Sequence, residues 1–128
     1  MICQVIGVGE VISVFVRKKN ANLITDVAFS QALVDLRAEV IDPVAFKLAA
    51  VEDSLVFASH PLIEKHTLNA TDALVLRSAL DAAATLRPEG NDLVLVTSDL
   101  RLLHAAQVEG LRTFDPETGS QVDVDALI

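Results

Sequence analysis

The chain has 128 residues, a formal net charge of −8, 52% hydrophobic and 4% aromatic residues, and a mean hydropathy of +0.45. Those values suit a single core-forming domain and exclude disorder, and the one cysteine, Cys3, excludes an intramolecular disulfide framework. The acidic balance excludes nucleic-acid binding through a general basic surface, and the scarcity of aromatics excludes base stacking as the main binding device.

Gln4 to Lys19 is an apolar run closed by Arg17-Lys18-Lys19. Its β-branched residues keep strand open as a reading, but its length favours helix, and cations suit a helix C-terminus. Asn20-Ala21-Asn22 reads as its stop. Thr25 is a suitable N-cap for a second helix through Val40, with Phe29, Leu33, Leu36 and Val40 on one face. Glu39 to Pro43 reads as extended, because Asp42 precedes a proline. A third helix is expected from about Ala45 to Ser59, ended by Pro61.

Asn69 can cap the next helix, whose buried stripe is Ala73, Leu76, Leu80 and Ala83. Arg87 to Asn91 reads as a loop. Leu93 to Thr97 lacks polar alternation and reads as a central parallel strand. Leu100 to Glu109 reads as a helix with Gly110 just past its end, and Leu111 to Phe114 as a strand. Asp115 to Gly119 is turn-like, and the tail QVDVDALI reads as an edge or a frayed end. The alternation in the C-terminal half implies βαβ units and a parallel sheet. No stretch is long enough to span a bilayer, and Ile2 to Val16 lacks the basic start and cleavage site of a signal peptide. The expected location is therefore cytoplasmic, with no membrane partner.

Three carboxylates stand out. Asp72 opens a helix, and Asp99 follows a strand. In an open α/β sheet, ligands sit where strands end and helices begin. Each acid also has an ordinary explanation, Asp72 as a first-turn acid and Asp99 or Ser98 as an N-cap. Glu10 is the only ionisable group in the thirteen residues QVIGVGEVISVFV. Burial there would oblige it to neutralise, pair or bind metal, whereas a Glu10-Ser13-Arg17 stripe would face solvent. Acids without a His or Cys cluster suit a hard ion such as Mg²⁺ or Mn²⁺. GVGEVI imitates a dinucleotide fingerprint but lacks its third glycine, and no strand is expected before it. A receiver-type phosphoacceptor centred on Asp99 lacks a lysine after Lys65.

TDALVLRSAL, LVTSDLRLLHAAQVEGLRTFDP and VGEVISVFVRK together resemble the PIN-domain family, small α/β metal-dependent ribonucleases that include VapC-like toxins of toxin–antitoxin pairs. The likeness runs from Gln4 to about Pro116. It implies an α/β fold with a PIN-like parallel sheet flanked by helices, filling 1–128 as a single domain. It implies Glu10, Asp72 and Asp99 as catalytic metal-binding acids, Thr97 and Ser98 as supporting hydroxyls, Mg²⁺ or Mn²⁺ as cofactor and RNA as substrate. It also implies an antitoxin-like protein partner and a homodimer. The family's opening strand and its Asp have no counterpart in the nine residues before Glu10. The expectation is thus an N-terminally truncated domain whose activity survives, is completed by a partner, or is replaced by a non-catalytic interaction role.

Overall fold

The computed structural model describes residues 1–127, apart from the Val5 side chain. The fold is mixed α/β and resolves into two compact units, Met1–Val51 and Glu52–Ile128.

The first unit begins with strand β1 (Ile2–Gln4), which runs directly into helix α1 (Val5–Asn20). Helix α2 (Asp26–Leu36) follows, capped by the Thr25 hydroxyl, which accepts the Ala28 N–H at 3.1 Å. A π-helical turn (Arg37–Ile41) leads to strand β2 (Lys47–Ala49), parallel to β1 with Ile2 opposite Lys47. Three expectations are corrected here. A strand does precede α1, made by pairing with residues more than forty positions away, which no local pattern announces. Asp42 is helical rather than extended, because its N–H closes a wide turn onto the Arg37 carbonyl at 2.9 Å. Ala45 to Ala49 is not helix. The Lys47 N–H donates to the Met1 carbonyl at 2.8 Å, and this pairing decides the conformation.

The second unit holds helix α3 (Asp53–His66), helix α4 (Ala70–Leu86), a 3₁₀ turn (Arg87–Glu89), strand β3 (Val94–Val96), helix α5 (Leu100–Val108), strand β4 (Arg112–Phe114) and helix α6 (Gln121–Leu127). Strands β3 and β4 are parallel, with Leu95 opposite Thr113. Helices α3 and α4 form a hairpin closed by Thr67 in the left-handed region. Gly110, at φ +84°, ends α5 as its position predicted. The expected stripe on α4 is present, with Ala73, Leu76 and Ala83 essentially inaccessible. They meet Leu62, Leu95, Leu102, Ala105, Ala106 and Leu111 in one aliphatic core.

Pro61 lies inside α3 rather than ending it. Both Pro61 and Phe57 are exposed, so water can bond the carbonyl that a proline leaves unpaired. Strand β3 is not buried on both faces, since Val96 is 59% exposed. The tail forms a helix, set by Ser120 and Asp123 bonding each other across its first turn and by the Arg112 guanidinium donating to the Leu127 carbonyl. Ile128 lies outside the described residues. Among the described residues, no helix is long and apolar enough to cross a membrane.

Candidate functional site

Two helix starts in the second unit carry the expected acids. Asn69 caps α4, its side-chain oxygen accepting the Asp72 N–H at 2.8 Å, and Asp72 sits half-buried in the first turn. Asp99 caps α5, accepting the Leu102 N–H at 2.9 Å, and is exposed. Both ordinary explanations therefore hold. Neither uses up the acid, because a carboxylate has about four acceptor positions and a cap bond occupies one.

The two starts share one end of the unit. Arg101, in the first turn of α5, donates to the Thr67 carbonyl at 3.2 Å, in the loop that opens α4. The positive ends of two helix dipoles thus face the same edge, and each favours a carboxylate there. The turn out of β3 is fixed as well. The Asp99 N–H donates to the Thr97 hydroxyl at 3.2 Å, and the Thr97 N–H continues the ladder to the Phe114 carbonyl at 3.1 Å.

Ser98 donates its hydroxyl to Asp115 at 2.8 Å, and the Glu117 N–H donates to the same oxygen at 2.9 Å. These bonds, the Glu117 N–H foremost, hold the Asp115 carboxyl below the ordinary carboxylate range. Asp115 follows β4 as Asp99 follows β3, so a third carboxylate stands at the carboxyl edge of the parallel pair. In sequence Asp115 reads only as part of a turn. The repeated strand-then-Asp pattern in VTSD and TFDP was the available signal.

Glu10 is placed differently from the buried group that its apolar context suggested. It belongs to the first unit and is exposed. The half-buried positions of α1 include Val8, Ile12, Phe15 and Lys19, one face at helical spacing, and Glu10 lies opposite. Val11, Val14 and Val16 are each 38–39% exposed, so apolar neighbours in sequence did not mean burial. Ser13, on the same outer face, donates to the Gly9 carbonyl at 2.9 Å. The structure thus brings Asp72, Thr97, Ser98 and Asp99 to one edge of the second unit and leaves Glu10 in the first. Strand β1 ends at Gln4, a buried amide.

The donor set at the edge is oxygen throughout, which suits a hard cation rather than zinc. Among the described residues, no group of three or more His, Cys, Asp or Glu is arranged to hold a metal ion. Two carboxylates remain compatible with Mg²⁺, which commonly keeps several waters and takes one or two carboxylates plus substrate phosphate. Of the histidines, His66 bonds Glu109 at 2.7 Å, His60 packs edge-on to Phe57, and His104 is exposed. No family model, curated protein or solved structure matches the chain.

Proposed function

We propose that the chain is a PIN-like, divalent-metal-dependent ribonuclease of toxin–antitoxin type, with both units parts of one domain acting in the cytoplasm. One observation carries this reading: Asp72 and Asp99 open two neighbouring helices at one edge, tied together by the Arg101–Thr67 bond, with Asp99 at the carboxyl end of a parallel strand. The resemblance assigns Glu10 as a third acid.

Asp72 and Asp99 would hold Mg²⁺ or Mn²⁺. Such an ion, when bound, lowers the pKa of its water and stabilises charge on phosphoryl oxygens. The chain's own residues do the positioning. The Leu102 N–H orients the Asp99 carboxylate, Thr97 fixes the turn that presents it, and the α4 cap sets Asp72. The family's opening-strand Asp has no counterpart before Glu10, so the site would work with one carboxylate fewer.

The test is cleavage of a mixed RNA with Mn²⁺, with and without EDTA, by wild type, Asp72→Asn and Asp99→Asn. Asparagine preserves an N-cap, so Asp99→Asn removes charge without unfolding α5. EDTA-sensitive cleavage lost in both variants supports the reading. No cleavage by folded wild type rejects it.

A second reading is a non-catalytic PIN-like interaction protein that binds an antitoxin-like chain or a second copy of itself. Its observation is the apolar surface left on and before α2, where Leu23, Val27 and Val34 are 60–80% exposed. A monomer at high concentration that nevertheless cleaves RNA would count against it.

A further inference from the structure

The chain has ten lysines and arginines, and most are engaged. Lys19, Arg37, Lys65, Arg77 and Arg87 pair with carboxylates, while Arg101 and Arg112 donate to carbonyls. Among the described residues, Arg17, Lys18 and Lys47 are the cationic side chains without such a partner. Arg17 and Lys18 are adjacent, in the only run of consecutive cations. Lys19 belongs to that run but points the other way, with its ammonium 3.6 Å from Asp26 and 4.8 Å from the Phe29 ring centre. Two neighbouring cations stay exposed and unpaired in a chain of net charge −8.

Their place on α1 adds direction. Arg17 is seven residues beyond Glu10, two helical turns or about 10 Å along the same outer face. Ser13 lies between them and is exposed too. We propose that Arg17 and Lys18 form a phosphate-docking patch that holds the backbone of single-stranded RNA alongside Glu10. The ribonuclease reading names RNA as the polyanion; the patch itself rests on the unpaired cations. An anionic membrane fits less well, because basic clusters that read anionic lipid hold about four to eight cations and this patch has two. The helix C-terminus stabilises these cations, and their charge remains available to a phosphate.

The experiment measures binding of a fluorescein-labelled oligouridylate in EDTA, which separates docking from cleavage, over a series of salt concentrations. The slope of log affinity against log salt for Arg17→Gln/Lys18→Gln is expected to fall in magnitude by about 1.4, two phosphate contacts at about 0.7 each. The swap Arg17→Lys/Lys18→Arg should keep the wild-type slope. Arg37→Gln/Lys47→Gln removes the same charge from the same unit and should leave the slope unchanged. Equal losses in both glutamine pairs mean that net charge alone acts, and they overturn the patch. No RNA binding by wild type, or an unchanged slope in Arg17→Gln/Lys18→Gln, overturns it also. So does loss of binding to phosphatidylserine vesicles with RNA binding intact. A changed slope without Mn²⁺-dependent cleavage would keep the docking patch and reject the nuclease.

Discussion

Asp99 carries two loads that substitution can separate. As an N-cap it accepts the Leu102 N–H, and as a carboxylate it offers charge at the proposed site. Asp99→Ala should cost about 1 kcal/mol in urea unfolding, whereas Asp99→Asn should stay near wild type, and both should abolish cleavage. Glu109 offers a test without catalysis. One of its oxygens accepts from Lys65 at 2.6 Å and from His66 at 2.7 Å. These bonds, Lys65 first, hold its carboxyl below the usual range. A depressed carboxylate stabilises the fold above its unfolded pKa and loses that effect as pH falls through the folded value. The Tm advantage of wild type over Glu109→Gln should therefore be full near about pH 7 and shrink towards about pH 3. Residue-level legibility followed the same division between local and distant chemistry. Thr25, Asn69, Asp99 and Gly110 were readable because capping is decided within four residues. The exposure of Glu10 was not, because which face of an apolar helix packs inward depends on what it meets.

At the scale of elements, Pro61 gives the sharpest test. It occupies an interior position of α3, with Phe57 exposed four residues earlier. Pro61→Ala would restore an N–H to the Phe57 carbonyl and relieve ring strain, a gain of up to about 3 kcal/mol. The proline also restricts the unfolded chain, which offsets about 0.4–1 kcal/mol of that gain. A net rise of about 1–2 kcal/mol is expected in urea unfolding, and a fall would mean that Pro61 shapes the α3–α4 packing. In sequence Pro61 reads as the end of the helix, because proline usually is one, but burial of Ser59 and Leu62 on the opposite side holds the helix through it. Helices α2 and α4 were legible from periodicity, α1 from the length of its apolar run, α5 from the glycine that closes it, and β3 from an apolar run. Strands β1 and β2 were not, because their pairing joins residues more than forty positions apart and no local pattern marks either partner.

Across the whole molecule, apolar burial is uneven, and stability should follow it. Among the described residues, every hydrophobic residue in the buried core lies between Leu62 and Leu111, in the second unit. In the first unit α2 has no fully buried residue, and the Phe29, Leu33 and Leu36 stripe is only half-covered. Hydrogen exchange should therefore be slowest in α4 and α5 and faster by orders of magnitude in α1 and α2, where opening exposes less apolar surface. Leu76→Ala, which empties the most enclosed large side chain, should lose about 2–5 kcal/mol and raise exchange throughout the second unit. Val27→Ala, at a position 80% exposed, should change neither. Uniform protection across both units would show that they open together. The contrast also bears on function. Asp72 and Asp99 rest on the well-packed unit, where geometry can be held, while Glu10, Arg17 and Lys18 rest on the thinly packed one. If RNA docks on α1, its binding should slow exchange in α1 and α2 far more than in α4 and α5, and a protection change confined to α4 and α5 would place the docking elsewhere.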